Sequence, residues 1–320
     1  ALFSWGTNFP FTHSLRLFIF FLKIKHQKGN AMTRSNTLTF KLLTLLTAFC
    51  LSALASAQID KPESVGLSTE RLSRISELMQ RHIDERGFAG AVTLVARDNK
   101  VVWLQTQGEM DVTTGKPLQE DAVFRIMSMT KPVVAVAALM MVEEGKVRLT
   151  DPVSRFIPEF ANLRVAAADQ PAGVPANRPI TVKDLLTHSS GLMSGPAGNA
   201  AVSISFAGGA TLASVIPQLA AAPLEFQPGT RWAYSPMFGL DVVARIVEIT
   251  SGVDFNTFTS ERIFKPLGMK STYFYHEGVD PKLTKLYRNV NGELQESPEM
   301  AFANGSYFSG GGGLHSSAQD

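Results

Sequence analysis

The chain has 320 residues, 45% of them hydrophobic and 18% charged, with a formal net charge of +2. That is an ordinary globular composition, with enough apolar mass for one large domain or two smaller ones. The basic excess sits in residues 1–57, which hold six Lys or Arg and no Asp or Glu; the remainder carries 24 basic against 28 acidic side chains, a net charge of −4. No basic stripe interleaves with aromatics, which excludes a nucleic-acid-binding reading.

In chain order, residues 1–31 precede a start methionine, Met32, and include "LRLFIFFLKIK", an apolar run too short to span a bilayer. They read as translated upstream sequence, with a weak membrane-associated extension as the alternative. Residues 32–57 have the layout of a secretory signal peptide: basic "MTRSNTLTFK", apolar "LLTLLTAFCLSALA" and small-residue "ASA" before Gln58. Bulky Phe49 beside Cys50, the single cysteine, disfavours a lipid-attachment reading. The expected mature chain, residues 58–320, therefore has neither a disulfide nor a thiol nucleophile and is expected in the periplasm or outside the cell.

"LSTERLSRISELMQRHIDERG" predicts an amphipathic helix capped by Ser68 and ended at Gly87. "AVTLVAR" and "VVWLQTQG", separated by Asp98, Asn99 and Lys100, predict two antiparallel strands. From Val123 onward the pattern predicts helices over "SMTKPVVAVAALMMVEEGK", "VKDLLTHSSG" and "GLDVVARIVEITSG", closed near Gly145, Gly191 and Gly252. Between them, "AAADQPAGVPANRP" and "GLMSGPAGNAAVSISFAGGA" predict surface loops. Met129, Met140 and Met141 are expected to fill the core. The sequence stops inside a glycine-rich turn, "YFSGGGGLHSSAQD", an ending expected of a truncated reading frame.

The chemistry concentrates at Ser128 and Lys131. A serine hydroxyl needs a base, and a lysine serves as one only where burial or a nearby cation favours its neutral form. Three residues apart, the two side chains share one face of a helical turn. The helix N-terminus adds exposed N–H groups and partial positive charge where an oxyanion would form. The following "VVAVAALMM" is apolar nearly all round and predicts a central helix. Alone, an SxxK tetrad is equally a helix cap followed by a solvated lysine.

Five blocks decide between these readings: "FRIMSMTKPVVAVAALMMVEEGKVRLTDPVSRFIPEF", "ITVKDLLTHSSGL", "FQPGTRWAYSPMFGLDVVARIVEITSG", "IFKPLGMKSTYF" and "SGGGGLHSSA". Their order resembles the serine β-lactamase-related superfamily, near class C β-lactamases and family VIII carboxylesterases, from about residue 62 to residue 320. The resemblance implies an α/β (α+β) fold: an antiparallel sheet flanked by helices, a mostly helical inserted region, and a site at their junction. It makes Ser128 the nucleophile, Lys131 the residue that assists its deprotonation, and Tyr234 of "YSP" the proton-exchanging tyrosine of a YxN or YSx motif. Read without the resemblance, Tyr234 is an ordinary core aromatic beside Trp232.

Two departures matter. Pro236 stands where β-lactamases and D-alanyl-D-alanine peptidases commonly have Asn, which favours esters; Ser235 either offers a hydroxyl to substrate or stabilises the turn. The family's third motif, a KTG, HxG or WxG expected after the glycine block, does not occur there, so the C-terminal strands are expected to be missing. His276, Glu277 and Gly278 spell HxG in the wrong order relative to that block and read as a chance match.

Other site chemistries find little support. No GxSxG elbow occurs, His188 reads as local packing, and the six histidines, His82 on the first helix among them, lack paired ligand spacing with carboxylates. The glycine run 310–313 has the flexibility of a phosphate loop but no following Lys-Ser or Lys-Thr. The resemblance implies neither a metal nor an organic cofactor. Expected substrates are short-chain esters, with β-lactams or D-alanyl peptides as the alternative and a non-catalytic binding scaffold as a third reading.

Overall fold

In the computed structural model of the protein, residues 59–204, 206, 209–275, 278–297 and 305–320 are described. The expected signal peptide, the segment before it, Cys50, and His276 and Glu277 of the HxG match lie outside them.

Helix α1 (Thr69–Asp84) starts where Ser68 accepts a hydrogen bond from the Arg71 N–H at 3.2 Å, the expected cap. It leads into strands β1 (Gly90–Arg97) and β2 (Lys100–Asp111), which pair antiparallel with Arg97 opposite Lys100. The two residues between them, Asp98 and Asn99, both have positive φ, 53° and 59°, as the tightest hairpin turn requires. A short β3 (Lys116–Pro117) extends this sheet from the far edge of β2.

Strand β4 (Val123–Arg125) runs directly into the turn that holds Ser128, and helix α2 (Thr130–Glu143) follows. α2 supplies Val134, Ala137, Ala138 and Met141 to the main core, all buried. Its other face is open: Val136 and Leu139 are each 49% exposed. The helix is central through one face only, because a run without periodicity does not show which face packs. Met129 is a further correction. It is 71% exposed at the mouth of the helix, whereas Met141 is fully buried.

The segment expected to be a loop around residue 170 folds into a hairpin of β5 (Arg164–Ala167) and β6 (Gln170–Pro175). The reason is non-local: the Ala166 N–H donates to the Leu224 carbonyl at 2.8 Å, giving the hairpin a partner that Ala- and Pro-rich composition does not announce. Helix α3 (Val182–Leu186) is fixed by a reciprocal cap between Thr181 and Asp184. The second expected loop holds a short helix α4 (Pro196–Ala201) with proline in its first turn.

After a brief α5 (Leu212–Val215) comes α6 (Phe238–Ser251), closed as expected by Gly252 at φ 81°. α6 packs along α2, and its Leu240, Val243, Ala244 and Val247 join the same core. A hairpin of β7 (Tyr287–Val290) and β8 (Glu293–Glu296) follows, and β9 (His315–Ser317) returns to pair antiparallel with β4. The expected α/β architecture of antiparallel strands and packed helices holds. The β4–β9 pair is new, since three-residue strands are too short to show alternation.

Candidate active site

Ser128 lies in a single turn, Met127–Met129, between β4 and α2. Met127 has φ 49°, a left-handed conformation that costs a non-glycine residue about 1 kcal/mol or more. Leu314 clamps this turn from both sides: its carbonyl accepts the Ile126 N–H at 3.0 Å and its N–H donates to Thr130 Oγ1 at 3.1 Å. Held this way, Ser128 is exposed.

The three residues expected at the site come together. Lys131 Nζ donates to Ser128 Oγ at 3.1 Å, and Tyr234 Oη donates to the same oxygen at 2.8 Å. Nζ also donates to the Pro236 carbonyl at 2.7 Å and the Gly311 carbonyl at 2.6 Å. Three acceptors match the three N–H bonds of an ammonium. Nζ sits 5.0 Å from the centre of the Tyr234 ring. Burial pushes the Tyr234 phenol up, but hydrogen bonds with Lys131 and Ser128 and the Lys131 charge outweigh it and lower the phenol below its ordinary value. Once the phenol has lost its proton, the same 2.8 Å contact lets the phenolate accept the Ser128 proton beside the Lys131 side chain.

Ser235 resolves to the turn-stabilising role: buried, its Oγ accepts the Gly239 N–H at 3.1 Å in the first turn of α6. Pro236 contributes only its carbonyl, to Lys131. His188 is closer to the site than local packing implied. Its Nδ1 accepts the Ser235 N–H at 3.2 Å, and its ring lies 4.7 Å from that of Tyr234. Burial, helped by the Lys131 charge, lowers the His188 imidazole below its ordinary value. That favours a neutral ring with its proton on Nε2. Trp232 stands edge-on to His188 and is 67% exposed.

Three of the four glycines in the run, Gly310, Gly311 and Gly313, are crowded by neighbouring backbone. A Cβ on Gly310 would meet the Leu240 carbonyl at 2.8 Å, Val134 at 3.0 Å and Ala244 at 3.1 Å, which places Gly310 in the seam between α2 and α6. Beside the run a small cleft opens, lined by Met127, Phe274, Tyr307, Phe308, Gly312 and Leu314.

Residues not foreseen from sequence stand behind Lys131. Asp241 of α6, fully buried, accepts hydrogen bonds from Tyr307 Oη at 2.7 Å, Ser309 Oγ at 2.9 Å and the Gly311 N–H at 2.8 Å. Burial pushes its carboxyl up to about 6, against the pull of those donors and of Lys131. An acid inside the apolar run "GLDVVARIVEI" was the available signal. Among the described residues, no three His, Cys, Asp or Glu side chains gather as a metal site.

The family model described as Beta-lactamase matches residues 75–320. Esterase EstB of Burkholderia gladioli is 32% identical over 295 residues, 83% of this chain and 72% of that protein. Lovastatin esterase of Penicillium rubens is 34% identical over 73% of this chain and 59% of its own length. A putative D-alanyl-D-alanine carboxypeptidase of Escherichia coli K12 is 27% identical over 74% of this chain and 55% of its own. Among solved structures, EstCE1, described as a hydrolase with promiscuous acyltransferase activity, superposes with a TM-score of 0.67 at 29% identity, covering 78% of this chain and 69% of that one. The chain thus spans between about half and three quarters of the length of these curated relatives. The match over residues 75–320 takes in Ser128, Lys131 and Tyr234, and the chain belongs to the Beta-lactamase family as a serine hydrolase.

Proposed function

We propose that the protein is an exported carboxylesterase for short-chain esters that works through an acyl-serine intermediate. The observation that carries this reading is the placement of Ser128 Oγ between Tyr234 Oη at 2.8 Å and Lys131 Nζ at 3.1 Å. With Lys131 held as an ammonium, Tyr234 in its phenolate form takes the Ser128 proton while Oγ attacks the ester carbonyl carbon. The Ser128 N–H, in the turn ahead of α2, is the donor assigned here to the developing oxyanion. Tyr234 then returns the proton to the departing alkoxide, leaving an acyl ester on Ser128. Water, deprotonated by the same phenolate, hydrolyses it.

Ester preference rests on the motif's third position. Pro236 has no side-chain amide, its carbonyl is taken by Lys131, and Ser235 is turned into α6. Nothing in this stretch is left to hold an acylamide. Two relatives bear the name esterase, which supports the same choice. The carboxypeptidase-like relative keeps D-alanyl peptide or β-lactam hydrolysis as the second reading. Export rests on the leader pattern of residues 32–57.

The test uses the full reading frame with p-nitrophenyl acetate and butyrate against nitrocefin, beside Ser128→Ala. Ester turnover lost in Ser128→Ala is expected. Turnover that survives that substitution defeats the mechanism, and nitrocefin turnover without ester turnover favours the second reading. If no substrate turns over and a fluorophosphonate leaves Ser128 unlabelled, the fold serves as a binding scaffold.

A further inference from the structure

A fully buried carboxylate is expensive. Removing it from water costs several kcal/mol unless donors repay it, and Asn or Leu would fill the space more cheaply. Asp241 nevertheless stands in the first turn of α6 with three donors aimed at it, one being the Gly311 N–H. The other backbone group of Gly311, its carbonyl, is the acceptor 2.6 Å from Lys131 Nζ. The second carbonyl on Nζ belongs to Pro236, in the turn that opens α6. The two carbonyls that aim the ammonium at Ser128 thus lie on two chain segments, and Asp241 is the side chain that ties one to the other.

We propose that Asp241 is a positioning residue of this site: by fixing Gly311 against α6 it sets the carbonyl that holds Lys131 Nζ on Ser128 Oγ. The inference rests on the esterase reading above. Without the Asp241 bond, Gly311 keeps only a longer contact from its N–H to Ser309 Oγ, at 3.2 Å, and Ser309 itself loses its acceptor. A shift of the carbonyl by an ångström is enough to lower the rate about 100-fold while substrate binding stays nearly intact.

The groups facing Asp241 are Lys131 from α2 and Tyr307 from the segment before β9; Glu248, further along α6, acts on Tyr307. Replacing Asp241 by Asn removes a negative charge facing the Lys131–Tyr234 pair. The phenol then loses its proton more readily, and the acid limb of the pH–rate profile moves to lower pH.

The experiment compares Asp241→Asn and Ser309→Ala with the unsubstituted protein, in the full reading frame, with p-nitrophenyl butyrate at temperatures well below each variant's unfolding midpoint. Expected for Asp241→Asn, which turns the acceptor of Tyr307 into a donor and leaves Gly311 and Ser309 only a neutral amide oxygen, is a fall in kcat of about 10- to 100-fold, KM changed less than about threefold, and an acid limb displaced downward. Expected for Ser309→Ala, which keeps the carboxylate and so tests the idea even if the Asn variant does not fold, is a kcat loss of about three- to tenfold at constant KM. Variants that unfold at lower temperature yet keep kcat and the pH profile would reduce Asp241 to a fold-stabilising residue and overturn the proposal. The Ser128→Ala control separates that failure from failure of the esterase reading, since activity surviving Ser128→Ala removes the site itself.

Discussion

The backbones of Gly311 and Met237 touch: a Cβ built on Gly311 would stand 2.5 Å from Met237 Cα and 2.6 Å from the Met237 carbonyl oxygen. Neither atom belongs to a flexible side chain, so one segment must move. The segment that moves carries an acceptor of Lys131. Gly311→Ala is therefore expected to lower kcat by about 100-fold or more and to cost about 1–3 kcal/mol of stability. Gly312→Ala is the control for packing, because its Cβ meets nothing closer than 3.6 Å and its unfolding midpoint should barely change. Equal activity losses in the two variants would mean that close approach to Met237 is not what the glycine supplies.

The Tyr234 phenol is lowered because Lys131 and Ser128 outweigh its burial. The sign for Lys131→Ala follows. Without the cation the phenol rises, so the acid limb of kcat/KM for p-nitrophenyl acetate moves to higher pH, on top of a rate loss of about 10²–10⁴. Tyr234→Phe should abolish that limb together with most of the rate. A limb that moves to lower pH in Lys131→Ala would assign the proton transfer to another group.

These residues differed greatly in how visible they were beforehand. Ser128 and Lys131 are adjacent on one helical turn, so their relationship is local and the spacing exposes it. Tyr234 is 106 positions from Ser128, and only the ordered blocks of a family resemblance identify it. Asp241, Tyr307 and Ser309 meet through tertiary packing of α6 against the irregular segment before β9, which has no local pattern. Two partners of Lys131 are backbone carbonyls, which carry no residue-type signal at all. The hairpin of β5 and β6 escaped for a related reason, since its partner Leu224 is remote in sequence.

His188 does more than pack locally: it supports the tyrosine segment. The Ala233 N–H donates to its carbonyl at 3.0 Å, and its Nδ1 receives the Ser235 N–H at 3.2 Å, so it holds both neighbours of Tyr234. His188→Ala is expected to lower kcat about tenfold and the unfolding free energy by about 1–2 kcal/mol, because a backbone donor loses its acceptor. His188→Asn, which offers a side-chain oxygen near Nδ1, should recover part of both. Recovery of stability without recovery of kcat would separate the histidine's packing from its effect on Tyr234.

Asp184 holds the other side of the same helical region. Its carboxylate accepts two hydrogen bonds from Arg178, at 2.6 and 2.9 Å, and further bonds from Thr181. Burial pushes the carboxyl up, but Arg178 and Thr181 prevail and lower it from 3.8 to about 2. A carboxyl depressed in the folded state stabilises above its unfolded value and loses that contribution as pH falls through the folded one. Asp184→Asn should therefore cost about 2 kcal/mol near pH 7, with the gap to the parent narrowing between about pH 4 and pH 2. Urea unfolding of both proteins at pH 7, 4 and 3 measures it. A gap that stays constant down to pH 2 would show that Asp184 acts as the α3 cap, which an amide replaces poorly at any pH, rather than through its charge.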